Sequence, residues 1–483
     1  MKVVLYYPRN FDNSSGKADI STLAVTLPPL GLVTIAAVLR DAGHDVVIMD
    51  ASLNYNIKDS EWVKKIIAEE PDFVGFSTIT PNFLYAYRIC QGVKEKNSSI
   101  KTVFGGVHVS WGMDRILKSY EHVDFVVVGE GEFAFRDIIS GKNPKEIAGV
   151  FSRGENRILS GPIQSKETLC KMDDIPFPAY DLVEGFPKKY NMALFSYPKH
   201  PGANIISSRG CVYNCSYCDR SVFHNSFRWN SPEYTYELMK YLNRDFGIKH
   251  FMFYDDLFTL NRNRVSKLCT LLREGDLNIS FNCIVRIGHI DSDLIAELKS
   301  AGGWMVHVGV ESGDQDMLDS HKDGLTLEAI TRDVNKLHNS GLWVKGLFMM
   351  GFPGETLKTI QKTIDFAASL PLKDANITAF TPYAGSPIAA NIDKYGIFDA
   401  SPENWENMDC VKFVFLNNEI INEVGLENAK ATLEAQYGKF LSTFYNRKFM
   451  HKVYRQMMIQ SPHSFWRLLK NSPTFLKYAM NMK

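Results

Sequence analysis

Two long stretches of the chain alternate short apolar runs with helical patterns, and this alternation constrains the fold more than any other feature. In residues 1–140 the predicted strands cover 3–7, 45–49, 73–77, 102–104 and 125–128. The helical patterns between them cover 29–42, 61–68, 84–95 and 113–119. Strands that alternate with helices form parallel sheets covered by helices. We therefore predict an α/β protein whose residues 1–140 form a flavodoxin-like (Rossmann-type) domain.

A second series of the same kind fills residues 204–395. Its predicted strands cover 205–207, 250–254, 280–284, 305–309, 347–350 and 377–381, with helical patterns between them. Six such units predict a partial (β/α)6 barrel of the TIM type, whose functional groups lie at the C-terminal ends of the strands. Residues 141–203 are rich in turn signals and are predicted as a linker. Residues 396–483 are predicted as a mainly helical C-terminal region.

Three cysteines follow the first strand of the predicted barrel. Cys211, Cys215 and Cys218 have the spacing C-x3-C-x2-C, with Tyr217 just before the last one. Three thiolates on one loop can bind three irons of a cubane cluster and leave the fourth iron open to a small molecule. Clusters that only carry electrons usually have four cysteine ligands. A zinc site also needs a fourth ligand, for which His224 is the nearest candidate. The spacing favours the cluster.

Polar residues recur at the same predicted rim of the barrel. Asp255 and Asp256 follow the second strand, Arg286 the third, and Glu311 and Ser312 the fourth. Each has an ordinary alternative, since the aspartates could cap a helix and Glu311 could be a buried partner of Arg286. Their recurrence at one rim, beside the cysteine loop, indicates a functional site.

Glycines and polar residues also follow the strands of the N-terminal sheet. The candidate ligand-binding residues there are Thr78, Gly105, Gly106, His108, Gly129 and Glu130. Ligands of open α/β sheets bind at the carboxyl ends of the strands, and paired glycines let the backbone approach a large flat ligand. No G-x-G-x-x-G pattern follows the first strand, so a dinucleotide is not predicted. On their own these residues are equally compatible with a regulatory or scaffold domain.

Charge and hydropathy limit the possible partners. The formal net charge is zero, which gives no electrostatic preference for nucleic acid. The first residues read as a strand and not as a signal peptide, and no apolar run is long enough for a membrane span, so we expect a cytoplasmic protein. Residues 441–483 contain eight Lys or Arg and no Asp or Glu, mixed with aromatic residues. This pattern favours a helical cap on an acidic body, a peripheral membrane contact or an anionic substrate.

Taken in order, the motifs resemble the radical S-adenosylmethionine (SAM) superfamily, and more closely its branch with an N-terminal cobalamin-binding domain. Besides the cysteine loop, the matching segments are 28–32, 105–108, 129–132, 176–178, 255–256, 309–313 and 351–355. The resemblance implies that the three cysteines bind a [4Fe-4S] cluster whose open iron binds SAM. Reductive cleavage of SAM then gives methionine and a 5′-deoxyadenosyl radical.

The resemblance also implies roles for the rim residues. Tyr217 would lie near the adenine of SAM, and Asp255 or Asp256 would receive the methionine ammonium group. Glu311 and Ser312 would contact SAM, and Arg286 would neutralise its carboxylate. Both signs of charge suit a zwitterionic sulfonium ligand.

The predicted cobalamin domain departs from the pattern of mutases and methionine synthase. Those domains carry D-x-H-x-x-G after the first strand, which supplies an axial histidine. Residues 7–12 of this chain read Tyr-Pro-Arg-Asn-Phe-Asp and contain no histidine. Cobalamin binding is therefore predicted from the strand-end loops, and His108 is not assigned as a cobalt ligand.

The branch that this chain resembles contains more than one activity. We expect an enzyme that methylates an unactivated carbon of a small or lipid-like molecule, with an external one-electron donor of the flavodoxin or ferredoxin type. The alternative is an oxidative cyclase similar to the anaerobic magnesium-protoporphyrin monomethyl ester cyclase, or other radical chemistry without methyl transfer. A non-catalytic cobalamin sensor is a third possibility and predicts no reducible cluster.

Overall fold

The N-terminal domain is built on a seven-stranded sheet. The computed structural model describes residues 1–9, 26–54, 56–154, 158–165 and 167–471. The strands are β1 (Lys2–Tyr7), β2 (Asp45–Asp50), β3 (Phe73–Ser77), β4 (Lys101–Gly105), β5 (Phe125–Val127), β6 (Val150–Arg153) and β7 (Ile158–Ser160). Their order is β2-β1-β3-β4-β5-β6-β7. The first five pair in parallel, and β6 and β7 extend the sheet as antiparallel strands.

Helices cover both faces of this sheet. They are α1 (Leu30–Asp41), α2 (Asp59–Ala68), α3 (Phe83–Lys96), α4 (Val107–Ser119) and α5 (Glu132–Ile139). Successive side chains of a strand point to opposite faces. Val3 and Leu5 accordingly pack with α1 and α5, whereas Val4 and Tyr6 pack with α2 and α3. The flavodoxin-like fold is confirmed. The sheet continues to Ser160, beyond the boundary predicted at residue 140 and into the segment predicted as a linker.

The chain enters the second domain through β8 (Gly202–Ile205) and then forms a short antiparallel ribbon. The ribbon consists of β9 (Ser208–Arg209) and β10 (Arg228–Trp229), and the cysteine loop lies between its two strands. Five further strands follow: β11 (His250–Phe253), β12 (Ser280–Val285), β13 (Gly303–Glu311), β14 (Trp343–Met350) and β15 (Asp374–Ala379). The intervening helices are α6 (Pro232–Phe246), α7 (Arg262–Glu274), α8 (Ser292–Ser300), α9 (Gln315–His321), α10 (Leu327–Ser340) and α11 (Leu357–Ser369).

Six of these strands form one parallel sheet that confirms the predicted partial barrel. Their order is β15-β14-β13-β12-β11-β8, and β8 and β15 do not pair, so the barrel is open between them. The largest apolar core lies between the strands and the outer helices and includes Phe251, Phe281 and Val306. A parallel arrangement brings all carboxyl ends of the strands to one rim.

The C-terminal region is helical, as predicted, and packs on the barrel. Its elements are β16 (Gly396–Phe398), β17 (Phe415–Asn417), α12 (Asn418–Val424), α13 (Leu426–Tyr445), α14 (Lys448–Gln460) and α15 (Pro462–Lys470). The Arg447 guanidinium donates to the carbonyl oxygens of Ala367 at 3.2 Å and Leu370 at 2.9 Å, which satisfies the end of α11. Among the described residues no helix has the length and apolar character that crossing a bilayer requires.

Candidate cofactor site between the two domains

The three predicted cluster ligands lie on one partly exposed loop at the carboxyl end of β8. Cys211, Cys215 and Cys218 are free thiols. Burial raises the pKa of Cys218 to about 12, and the neighbouring Cys215 thiol adds to the rise. A bound metal ion removes this cost, because it takes a coordinating thiol in its deprotonated form. In the described part of the chain no three His, Cys, Asp or Glu side chains are placed to hold a single metal ion. Thiolates that each bind a different iron need not converge on one point, unlike the ligands of a zinc site.

His321 fixes the middle of the cysteine loop. The Ser216 hydroxyl lies 2.9 Å from Nδ1 of His321, and the Ser216 N–H donates to the His321 carbonyl at 3.0 Å. On its other side His321 Nε2 lies 2.9 Å from the Pro353 carbonyl, to which only an N–H can donate. His321 therefore links the cysteine loop to the glycine-rich loop after β14. Sequence reasoning missed His321, because it ends α9 and belongs to no motif.

The two neighbouring aspartates have different surroundings. Asp255 is fully buried, and its carboxylate accepts from the Ser207 N–H at 2.7 Å and lies 3.3 Å from the Arg264 guanidinium. Asp256 is exposed and accepts from the Gly210 N–H at 2.7 Å, directly before Cys211. Of this pair only Asp256 has an exposed side chain beside the cysteine loop, although burial of its carboxyl group raises its pKa.

Three further predicted residues, Arg286, Glu311 and Ser312, differ in how close they lie to the cysteine loop. The Arg286 guanidinium lies 3.3 Å from the ring centre of Tyr213, and its charge opposes the burial that raises the pKa of Cys211. Glu311 pairs with Lys322 at 2.6 Å, and burial together with nearby Glu311 raises the pKa of Tyr217.

Ser312, by contrast, points into the protein. It is 1% exposed, its hydroxyl lies 3.1 Å from that of Thr363, and it also accepts from the Asp314 N–H. The structure thus brings Tyr217, Glu311 and Arg286 to the cysteine loop but turns Ser312 into the core.

A glycine cradle forms the edge of the N-terminal sheet that faces this loop. Gly106 has φ +99°, and a Cβ there would overlap the Thr78 carbonyl oxygen. The Thr78 N–H donates to the Gly105 carbonyl at 2.9 Å, which holds the two strand-end loops together. A side chain at Gly106 would have to displace this backbone, so the position requires glycine.

His108 lies behind the cradle and does not line the cavity. Its ring packs against Phe83 and Trp405 with centroid distances of 4.5 and 4.4 Å. Burial lowers the pKa of His108 to about 3, so the imidazole is neutral. Nδ1 lies 3.2 Å from the Thr80 hydroxyl, and this environment is that of a core histidine.

One cavity of about 280 Å³ lies between the cradle and the cysteine-loop domain and is open on one side. Residues of both domains line it, among them Gly31, Gly105, Gly106, Gly129, Phe135, Ile205, Arg209 and Phe223. Its walls are mainly apolar, and the glycines let a flat ligand approach the strand ends. The apolar lining and the glycine edge suit a flat macrocyclic cofactor such as cobalamin. Of the six residues predicted on the N-terminal sheet, Gly105, Gly106, Gly129 and Glu130 line the cavity, whereas Thr78 and His108 do not. The three cysteines and the predicted SAM-binding residues are not part of its lining either.

Glu130 joins the two domains through buried ion pairs. Its two carboxylate oxygens pair with Arg209 and Arg228, and Glu132 pairs with Arg209 at 2.6 Å. Burial alone would raise the pKa of Glu132, but the pair with Arg209 outweighs it and lowers the pKa. Because Arg209 is two residues before Cys211, these pairs position the cysteine loop relative to the sheet.

A second cleft adjoins the same region and was not predicted. It is an open cleft of about 540 Å³, lined by Ser110, Trp111, Arg220, Ser221, His224, Asn225, Ala384 and Gly385. Trp111 is 46% exposed, and Arg220 donates to the side chain of Asn214 at 2.5 Å. The cleft lies between α4 and the segment that follows Cys218. Three separate parts of the chain form it, so no local motif reveals it.

Comparison with known proteins agrees with this architecture. The B12 binding domain family matches residues 16–139, and the Radical SAM superfamily matches residues 205–367. An uncharacterized methyltransferase of Pyrococcus horikoshii is 30% identical over 80% of this chain and 82% of its own. The anaerobic magnesium-protoporphyrin IX monomethyl ester cyclase of Rubrivivax gelatinosus is 26% identical over 84% of this chain and 72% of its own.

A solved structure shares the fold over nearly the whole chain. The cobalamin-dependent SAM radical enzyme OxsB, with aqua-cobalamin and SAM bound, superposes with a TM-score of 0.72. It covers 97% of this chain and 72% of its own, at 17% sequence identity. This likeness is one of fold.

The fold, the cysteine loop and the shared cavity define a radical SAM protein with a cobalamin-binding domain, and the chain belongs to that family. It is a radical SAM enzyme whose cofactors are a [4Fe-4S] cluster, SAM and cobalamin. Its relatives favour methyl transfer over cyclisation. The predictions of family, cofactors and enzyme class are thereby confirmed.

Proposed function

We propose that the enzyme transfers a methyl group to an unactivated carbon of a small biosynthetic intermediate. The observation that carries this proposal is a cavity lined by both the strand-end glycines and residues that flank the cysteine loop. A cobalamin domain that served only as a sensor would not need to share a cavity with the cysteine loop. When bound, the cluster and SAM supply a carbon-centred radical, and cobalamin supplies a methyl group.

The protein's own residues hold and orient these groups. Cys211, Cys215 and Cys218 bind three irons of the cluster. Asp256 receives the ammonium group of SAM, since its side chain is exposed beside the cysteine loop. The Asp255 carboxylate is buried and already accepts hydrogen bonds from within the protein.

Arg286 and Tyr217 complete the SAM site in this proposal. The Arg286 charge lies close enough to Cys211 to affect its pKa, and it would neutralise the carboxylate of a bound SAM. Tyr217 packs on Phe352 with ring centroids 5.6 Å apart, which leaves an apolar surface for the adenine. Glu311 holds the Tyr217 hydroxyl and Lys322, and so acts by positioning.

The substrate enters through the second cleft. Trp111 offers an apolar face, and Arg220 and His224 offer donors, a combination that suits an amphipathic small molecule with a polar or anionic group. An external one-electron donor of the flavodoxin or ferredoxin type reduces the cluster. Sensitivity of turnover to the choice of reduced flavodoxin or ferredoxin would identify it.

Product analysis tests the reaction. The reconstituted enzyme is incubated anaerobically with cobalamin, candidate substrates and SAM that carries a labelled methyl group. Label in the product, together with 5′-deoxyadenosine, is the expected result. Deoxyadenosine with an oxidised, unlabelled product would instead support the cyclase-type alternative. That alternative is considered because a relative of this chain, 26% identical, is a cyclase.

Loss of one cluster ligand tests the enzyme assignment itself. Cys215→Ala is expected to lower iron content and to abolish deoxyadenosine formation, since an iron of the cluster loses its thiolate. Cys170→Ala is the matched control, because Cys170 is half-buried outside the loop and its carbonyl contact to Arg228 persists. Undiminished deoxyadenosine formation by Cys215→Ala would contradict the proposal and favour a cobalamin sensor.

A further inference from the structure

The C-terminal helices expose large apolar side chains that the barrel does not use. Ile459 is 75% exposed, Trp466 67% and Met458 50%, and Trp466 is the most exposed tryptophan of the described residues. The opposite sides of these helices are buried through Met450, Val453 and Met457 of α14 and Ser464 of α15. Large exposed apolar surfaces mark sites for partners.

The exposed residues follow a helical period on both helices. On α14 they include the set His451, Lys452, Arg455, Met458 and Ile459, besides Lys448 and Gln460, and on α15 they are the set Pro462, His463, Trp466, Leu469 and Lys470. Each set has the spacing i, i+1, i+4, i+7, i+8, which places its members on one helix face. We call these two sets together the basic-aromatic face. The apolar end of the α14 set, Ile459, lies two residues before Ser461, where the chain turns into α15.

The charge of this face has one sign. Residues 441–483 contain no Asp or Glu, and Lys452, Arg455 and Lys470 are exposed. Within the described residues none of these three forms an ion pair. A partner of this face must therefore offer negative charge together with an apolar interior.

The basic-aromatic face lies at the opposite end of β8 from the cysteine loop. The Ser464 hydroxyl accepts from the Phe195 N–H at 3.1 Å, and the Tyr197 hydroxyl lies 3.1 Å from His463 Nδ1. These partners precede β8, at the amino end of the barrel, whereas the cysteine loop follows its carboxyl end. An anionic substrate at the cofactor site cannot reach this face, so the basic residues of α14 and α15 serve another purpose.

We propose that the basic-aromatic face docks on the surface of an anionic lipid bilayer. Amphipathic helices with cations on their flanks and Trp, Ile or Leu on the inserted side lie in the bilayer interface. Tryptophan is enriched at that depth, and juxtamembrane Lys and Arg are attracted to anionic headgroups. The proposal does not depend on the reaction that the enzyme catalyses.

Vesicle co-sedimentation of the full-length protein tests this proposal. The vesicles consist of phosphatidylcholine alone or of phosphatidylcholine with phosphatidylglycerol. The protein is expected to pellet with the anionic vesicles and to be released by high salt, because screening removes the headgroup attraction. The double variant Ile459→Ser/Trp466→Ser is expected to bind about tenfold more weakly, since both inserted side chains are lost. The triple variant Lys452→Gln/Arg455→Gln/Lys470→Gln should lose the preference for anionic vesicles.

Controls separate docking from misfolding and from other occupants of the face. Ile163→Ser/Trp229→Ser removes two apolar side chains that are 80% and 44% exposed elsewhere, and it should pellet like the wild type. Equal pelleting of wild type and Ile459→Ser/Trp466→Ser would overturn the proposal, as would no pelleting of the wild type. A chain ending at Asn471 that pellets when the full chain does not would show that residues 472–483 cover the face, which also overturns it. Unchanged thermal melting and unchanged deoxyadenosine formation show that the variants fold.

Discussion

At the scale of single residues, similar side chains or neighbouring positions have different roles because of their surroundings. Asp255 and Asp256 are adjacent in sequence. The Asp255 carboxylate is buried and hydrogen-bonded to Ser207, whereas the Asp256 side chain is exposed near Cys211. Gly105 and Gly106 form another such pair. Only Gly106 has a positive φ and a neighbour so close that a Cβ would overlap it.

The glycine pair gives a prediction with a built-in control. Gly106→Ala should lower stability by about 1 to 3 kcal/mol, because this backbone region is essentially restricted to glycine, and should reduce cobalamin binding as the cradle shifts. Gly105→Ala should be milder, since the nearest atom to its Cβ is the Val127 carbonyl oxygen at 3.9 Å. Cobalamin retained after gel filtration and the melting temperature are the measurements. Equal loss in both variants would show that the cradle does not set the binding.

At the scale of elements, the glycine-rich loop after β14 depends on one buried carboxyl group. Glu355 is fully buried, and one of its oxygens accepts from the Gly351 N–H at 2.5 Å and the Phe352 N–H at 3.2 Å. Its other oxygen has no partner among the described residues. This carboxyl group holds the loop that carries Phe352 and Pro353, which in turn contact Tyr217 and His321.

The same carboxyl group predicts a pH dependence of stability. Burial raises the pKa of Glu355 from 4.5 to about 8. Between these values the folded state holds a proton that the unfolded chain has lost. The free energy of unfolding therefore falls as pH rises, by at most about 1.4 kcal/mol per pH unit. The stabilisation that the proton on Glu355 provides is complete below pH 4.5 and lost above pH 8.

Glu355→Gln isolates this effect because glutamine does not titrate. Urea unfolding between pH 5 and pH 8 should show a smaller decline in the variant than in the wild type. Glu237→Gln, at an exposed position of α6, is the control and should keep the wild-type decline. If the free energy of unfolding fell equally with pH in the wild type and in Glu355→Gln, Glu355 would be ionised in the folded protein.

At the scale of the whole molecule, four buried charges hold the two domains in register. Glu130 and Glu132 of the N-terminal domain meet Arg209 and Arg228 of the ribbon that carries the cysteine loop. The cluster of charges is neutral overall, and removal of one member leaves an uncompensated buried charge. These ion pairs therefore connect the domain that carries the glycine cradle to the cysteine loop.

Glu130→Gln tests this coupling. We expect a loss of about 3 to 5 kcal/mol, the usual cost of breaking a buried ion pair, measured as the shift of the first urea transition. Glu184→Gln breaks the exposed pair with Lys189 and should cost about 1 kcal/mol or less. If the two variants were equally stable, Glu130 would not hold the domains together.

Much of the fold and part of the site could be predicted from the sequence. Strands β1 and β3 lie within one residue of their predicted bounds, since apolar runs bounded by turn residues are a local signal. Strands β6 and β7 were missed because they are short and extend the sheet through non-local pairing. His321, Arg209 and Trp111 were missed as site residues, because each contacts a partner distant in sequence and carries no motif.

The amino-acid sequence by itself determined the βα alternation, the cysteine spacing and the family to which the chain belongs, because these depend on local periodicity and on residue order. The tertiary structure alone decided which carboxylate is exposed at the cysteine loop, that Glu130 pairs with Arg209 and Arg228, and that α14 and α15 lie at the amino end of the barrel. These outcomes depend on burial and on contacts between distant segments. Neither quantity is encoded in any short stretch of the chain.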